Sequence, residues 1–237
     1  MKSFSYKIAQ NKYGLYCVPL SSSYSFTSQA ILDGKIHEPD TISYILKNVK
    51  DGDVIHSGAC FGDFLPALSQ IKSSIIWAFE PCEENFICAQ KTIEINYLKN
   101  VKLMKLALGA TNSVCTLKVR QDNKSLGPRC KIINPINTSL TLENELVVMK
   151  TLDSLIPETR KVSLIHLDVQ GYENFIIQGA SGIIARDNPL IILEEDSEGL
   201  DCDKLMDELN YRPIKYLDYK YGLKVFKNTV YKRIFSS

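Results

Sequence analysis

Asp53-Val-Ile-His-Ser-Gly-Ala-Cys-Phe-Gly-Asp-Phe64 decides the fold. Asp53 to His56 reads as a short strand, Gly58 and Gly62 as a turn, and Asp63 to Ile71 as a helix with Pro66 in its first turn, where a missing N–H costs nothing. Glycines at a strand-to-helix turn let the backbone approach a ligand closely, and the start of the helix favours an anionic group. The Gly-x-x-x-Gly spacing lacks the three-glycine fingerprint of dinucleotide-binding loops. Alone, it is equally consistent with a plain tight turn.

Outward from this stretch the pattern alternates. Ile75 to Phe79 is a continuous apolar run, as expected of a strand covered on both faces. Glu83 to Asn96 follows as a helix, with Phe86, Ala89, Gln90 and Ile93 at helical spacing, and Val101 to Leu108 as a third strand. After an interruption the alternation resumes: strand Val162 to Val169, helix Glu173 to Ala185, strand Leu190 to Glu195, helix Asp201 to Asn210. Strands alternating with helices imply βαβ units and a mainly parallel sheet. The tail from Tyr211 to Phe235 alternates apolar and polar residues and predicts a hairpin of antiparallel edge strands. Residues 110–160 read as inserted strands and loops, and residues 1–50 as an extension with a Ser-rich loop (Ser21 to Ser28) and a helix over 38–50. A single domain over 1–237 is expected, since this length suits one well-buried α/β core.

Composition narrows the function. A formal net charge of +1 supplies no electrostatic attraction to nucleic acid or an acidic membrane, so neither is expected as a partner. No apolar stretch reaches the roughly 20 residues of a membrane helix, and Met1 to Gln10 has no apolar signal core. The seven cysteines form no Cys-x-x-Cys pair, and no His/Cys/Asp/Glu cluster has metal-ligand spacing. Reduced thiols, a cytoplasmic location and no metal are the expectations.

Four pieces carry candidate chemistry. The first is the glycine turn. The second is Glu80, at the end of the Trp77-Ala-Phe-Glu strand and eighteen residues after Gly62, near the offset at which an acid meets a ribose. The third is Leu164-Ile-His-Leu-Asp-Val-Gln-Gly-Tyr-Glu173. There His166 and Asp168 share a strand face and Asp168 reaches the carboxyl edge; Glu173, in the first helical turn, divides between function and capping. The fourth is Glu194-Glu195, where one acid could face a pocket.

In this order the pieces resemble the FkbM family of methyltransferases over about residues 36–195. The most specific parts are Gly58-Ala59-x-x-Gly62, Ala78-Phe-Glu-Pro81 followed by Asn85, Thr151-Leu-Asp-Ser-Leu155, and Asp168-Val-x-Gly-x-Glu173. The resemblance implies a Rossmann-like class I methyltransferase fold, S-adenosylmethionine as cofactor, and O-methylation of a hydroxyl on a small acceptor such as a sugar. It implies that Gly58, Ala59 and Gly62 line the methionine end, Glu80 holds the ribose, Ala107 and Leu108 border the adenine, and Asp168 stands near the reacting centre. His56 stands where the family usually has Asp, His166 where Lys is common, and Gln170 where Glu is common. A hydroxyl nucleophile gains from a general base, and Asp168 or His166, together with His56, are the candidates; the alternative for His166 is a buried, hydrogen-bonded core residue.

Two other readings compete. Tyr211-Arg-Pro-Ile-Lys215 and Tyr216-Leu-Asp-Tyr-Lys220 match the Tyr-x-x-x-Lys of short-chain dehydrogenases, but Pro213 and the strand-like setting argue against a helix there. A non-catalytic protein keeping the fold is the alternative that the His56 and Gln170 departures raise. Tyr13, Tyr16 and Tyr24 could stack on an acceptor or serve as ordinary packing. Neither the acceptor's identity nor the oligomeric state is legible.

Overall fold

The structure, a computed structural model, describes residues 4–133, 141–194 and 202–234. The chain opens with a hairpin, β1 (Tyr6–Asn11) and β2 (Gly14–Pro19), followed by helices α1 (Phe26–Leu32) and α2 (Pro39–Asn48). The alternating core comprises β3 (Asp53–Ser57), α3 (Leu65–Leu68), β4 (Ile76–Phe79), α4 (Glu83–Ile95) and β5 (Val101–Met104). The inserted region contains β6 (Ala107–Leu108), β7 (Ser113–Lys118), β8 (Arg120–Gln121), β9 (Lys124–Ser125), β10 (Lys131–Ile133), β11 (Asn144–Lys150) and α5 (Leu152–Leu155). The chain then returns to the core through β12 (Val162–Leu167), α6 (Glu173–Gln178), α7 (Ser181–Asp187), β13 (Leu190–Glu194), α8 (Cys202–Glu208), β14 (Tyr211–Tyr221) and β15 (Lys224–Arg233).

The central sheet runs β14-β15-β13-β12-β3-β4-β5, parallel from β13 to β5. Its order reverses at β3, so the loops after β3 and β12 flank one crevice, where open α/β sheets bind ligands. Successive residues point to opposite faces. Ile55, Phe79, Ile165 and Ile191 enter one core layer, and Val54, Ala78, Leu164 and Ile192 the other, beneath α2 and α3. His56 and His166 share that second face.

Several expected elements came out differently. The helix expected over 63–71 is a single turn, Leu65–Leu68, so the anion-favouring helix start invoked for this loop has little dipole behind it. On α4 the buried face is Asn85, Cys88, Ala89 and Thr92, rotated from the expected stripe, while Gln90 is exposed. The single strand expected over 101–108 divides: β5 pairs with β4, whereas β6 leaves the central sheet and pairs in parallel with β11. The helix expected over 173–185 breaks at Gly179, where a Cβ would sit 2.1 Å from the Gly109 carbonyl oxygen. Of the two tail strands, only β14 lies at the sheet edge; β15 lies between it and β13. Helix α1 begins inside the Ser-rich stretch, where its N-cap Ser25 accepts a hydrogen bond from the Ser28 N–H. Glu195 lies outside the described residues.

Candidate cofactor and acceptor site

Gly58, at φ +86°, is the tightest point of the crevice: a Cβ there would lie 1.8 Å from the Asp168 carbonyl oxygen. No side chain fits, so the loops after β3 and β12 meet backbone to backbone. The N–H groups of Gly58 and Ala59 donate to the Phe79 carbonyl at 3.1 and 3.0 Å. Glu80 completes the junction: one carboxylate oxygen accepts from the Cys60 N–H at 2.7 Å and the other from the Cys82 N–H at 2.8 Å. The Asn85 side chain also hydrogen-bonds this carboxylate.

A cleft of about 720 Å³, open to solvent, runs across this junction. Of the residues expected at a cofactor, His56, Gly58, Glu80, Ala107 and Leu108 line it, as does Asp168. Ala59 and Gly62 instead support the loop from behind; Ala59 is buried in the core and Gly62 packs on Thr92. Sequence reasoning missed Asp63, Asn85, Cys60, Thr27, His37 and Pro128, all of which line the cleft. Asp63 ends the quoted stretch, and the resemblance already named Asn85. Thr27, His37 and Pro128 come from the N-terminal segment and the insertion, and reach the cleft only through tertiary docking. Tyr24 anchors one of these contacts, its hydroxyl donating to the Ser125 carbonyl.

His166 lines neither this cleft nor its neighbour. It is 1% exposed, and its Nδ1 lies 2.9 Å from Nδ1 of His56, its cross-strand partner in register, with one nitrogen donating and the other accepting. The two rings stack on each other and on Phe64. Burial pushes both imidazoles toward the neutral form, His166 down to about 4, against the opposing pull of Asp168. Of the two readings of His166, the structure therefore favours the buried, hydrogen-bonded core residue over a general base that meets the acceptor: its ring pairs with His56 inside the core.

A second pocket adjoins the cleft, lined by Tyr24, Phe26, Arg129, Glu194 and Phe226. It shares Thr27, His37, Pro128, Asp168 and Gln170 with the first. Gln170 bridges the carboxylates, donating to Asp168 Oδ1 at 3.3 Å and Glu194 Oε2 at 3.0 Å. Carboxylate oxygens of Glu38, Asp168 and Glu194 lie within 4.8 Å of one another, so the fold assembles an acidic group that sequence spacing did not reveal. Of the three tyrosines considered for stacking, Tyr24 lines this pocket, whereas Tyr16 is fully buried, its hydroxyl donating to Asn11. Glu173 accepts from the Val169 and Gly171 N–H groups, a brace for the loop after β12.

The site is electrostatically lopsided. Burial pushes the carboxyls of Asp63, Glu80 and Glu38 up to about 8, and Asp168 adds repulsion to each. Such a cleft suits a ligand with net positive charge.

A family model described as the methyltransferase FkbM domain matches residues 56–221. The chain belongs to the FkbM methyltransferase family. Among solved structures, an FkbM methyltransferase from Methylobacillus flagellatus KT superposes with a TM-score of 0.56 at 13% identity, covering 94% of this chain and 56% of that one. An uncharacterised protein from Listeria monocytogenes serotype 4b gives 0.54 at 11%, covering 84% and 70%. The complex of aTrm5 with tRNALeu gives 0.51 at 11%, covering 98% and 54%. This chain thus spans little more than half the length of the first and third. No curated protein matches it. The fold is the class I methyltransferase fold, and S-adenosylmethionine is the cofactor of this family member. The expectation that nucleic acid is excluded is corrected: the same fold carries tRNA in the aTrm5 complex, so a net charge near zero does not decide the acceptor. Among the described residues, no helix is long and apolar enough to cross a membrane.

The residues present fit the cofactor. S-adenosylmethionine carries a sulfonium and an ammonium against one carboxylate, and the cleft opposes that positive charge with buried Asp63 and Glu80 and half-buried Asp168.

Proposed function

We propose that this FkbM methyltransferase O-methylates a hydroxyl. The reading rests on one observation: Asp168 lies on the shared wall of the cofactor cleft and the adjoining pocket. A group there contacts both a bound cofactor and an acceptor entering from the second pocket.

When bound, the cofactor supplies an activated methyl group for in-line displacement, so the protein's task is chiefly to place the nucleophile. Glu80 would hold the ribose hydroxyls, its carboxylate oriented by the Cys60 and Cys82 N–H groups. Gly58 and Asp63 face the amino-acid end, and Ala107 and Leu108 give the adenine an apolar wall. Asp168 orients the acceptor hydroxyl, steadied by the amide of Gln170. Tyr24, Phe26 and Phe226 offer apolar faces to the acceptor's body.

Calorimetric titration with S-adenosylhomocysteine tests the cofactor half, and Glu80→Ala is expected to weaken binding. Radiolabelled methyl transfer to a panel of polyols, phenols and RNA oligonucleotides tests the other half, with Asp168→Asn expected to lower turnover at least 100-fold. Cofactor binding with transfer to none of them would favour a non-catalytic, cofactor-binding protein.

A further inference from the structure

His37 is the histidine that the fold brings to both pockets, and its neighbours form a chain. Its Nε2 lies 3.3 Å from Thr27 Oγ1, which lines the same two pockets, and 3.5 Å from Glu38 Oε1. Phe226 and Tyr219 hold the ring edge-on at 4.8 and 5.8 Å between centroids. The other Glu38 oxygen, Oε2, accepts from Asn228 Nδ2 at 2.6 Å, and that amide also reaches Thr41 Oγ1. The carboxylate is thereby fixed with Oε1 toward the imidazole.

The backbone confirms that Glu38 is aimed. It occupies the N-cap of α2, yet its side chain makes no capping bond, and its φ of +47° is left-handed, a costly conformation for a residue other than glycine. Its carboxyl reaches His37 and Asn228 instead. Glu38 is 2% exposed.

We propose that Thr27, His37 and Glu38 form the route by which the acceptor's proton leaves, an inference that rests on the O-methylation reading above. The acceptor O–H bond breaks and its electron pair stays on oxygen, which becomes the nucleophile. The proton passes to Thr27 Oγ1 as the Thr27 proton moves to His37 Nε2, and the resulting imidazolium is held by Glu38 Oε1. The ring must enter this step neutral, with its proton on Nδ1. Because Thr27 and Glu38 converge on the same nitrogen, this is no nucleophilic triad, in which the hydroxyl and the carboxylate occupy opposite ring nitrogens. Thr27 and His37 meet the acceptor side; Glu38 is a positioning residue. Burial raises its carboxyl to about 8, and an imidazolium beside it draws it back toward the charged form.

Other groups face the ring or its pocket: Tyr219 from β14, Asp168 after β12, and Arg129 from the insertion. The test must therefore isolate Glu38. The full chain, labelled with 15N-histidine and saturated with S-adenosylhomocysteine, would be titrated with pH by NMR. The three histidines are assigned with His37→Asn, His56→Asn and His166→Asn. The expected result is that His37 titrates between about pH 5 and 9 while the buried His56–His166 pair stays neutral, and that Glu38→Gln lowers the proton affinity of His37 about tenfold. Should Glu38→Gln not fold, Thr27→Val serves instead, with the Nε2 chemical shift expected to move as its hydroxyl neighbour is lost. A His37 that does not titrate, or whose titration and shift ignore both variants, overturns the proposal. Failure to bind S-adenosylhomocysteine overturns the cofactor reading instead, so the two failures are distinguishable.

Discussion

Asp53 and Glu80 are buried carboxylates at opposite ends of one parallel sheet, and their surroundings push them in opposite directions. Asp53, at the amino end of β3, accepts from the Ile75 N–H at 2.9 Å, from Trp77 Nε1 at 2.8 Å and from the Arg160 guanidinium. Burial opposes its charge, but these donors win and hold the carboxyl below its usual value. Glu80, at the carboxyl end of β4, has two backbone N–H donors and no cation, with Asp168 adding repulsion; burial wins and its carboxyl rises to about 8. The amino end is a finished structural joint. The carboxyl end is a joint that a positive ligand completes, and the contrast separates stability from function along a single sheet.

The strongest way to break the contrast is Asp53→Ala. It leaves the Arg160, Trp77 and Ile75 donors unmatched, and a loss of about 3–5 kcal/mol in chemical denaturation is expected. Affinity for S-adenosylhomocysteine should not change in whatever fraction remains folded. Glu80→Gln should do the reverse, weakening that affinity by roughly 10- to 100-fold, about 1.4–2.8 kcal/mol, while leaving unfolding unchanged or slightly raised. If both variants lose stability equally, the two ends do not differ as argued.

His166→Leu sharpens the comparison on the face between the two ends. It deprives His56 Nδ1 of a buried partner, and a loss of about 1–3 kcal/mol is expected. Cofactor affinity should fall only through the position of His56.

The two ends also respond to pH with opposite signs. Carboxyls raised in the folded state add stability that is full below their unfolded values near 4 and is lost as pH rises toward about 8. Asp53, held low, contributes above its unfolded value and loses that contribution only as pH falls through its folded one. The cofactor-free protein should therefore melt higher near pH 5 than near pH 8. Each fully titrating group contributes at most about 1.4 kcal/mol per pH unit. Saturating S-adenosylmethionine should flatten the slope in thermal melts, because a cation favours the charged carboxylates.

The parts of this plan that are local in sequence were legible in it. Gly58, Glu80 and Asp168 follow buried strands directly, so apolar runs and turn residues locate them. What escaped depends on contacts between distant segments. Ser21 to Ser28 looks like a loop because serine has modest helix propensity, yet Ser25 caps α1 and delivers Thr27 to the cleft. Val101 to Leu108 looks like one strand because strand propensity does not register a change of sheet. His56 and His166 looked like two separate departures from the family pattern. The register between β3 and β12 makes them one pair.

The place of β15 between β13 and β14 has a consequence for how the chain reaches this state. Strand β13 is synthesised well before the strand that covers its outer edge, and β14 must emerge and wait for β15 to slot between them. Until then β13 presents an unpaired edge, and Asn228 is missing from Glu38. A nascent chain that has not yet presented β15 can thus have its glycine turn in place while the wall around His37 is still unbuilt. In that order of assembly, the cofactor side matures first and the acceptor side last, and the half-made protein is exposed to edge-to-edge association during that interval.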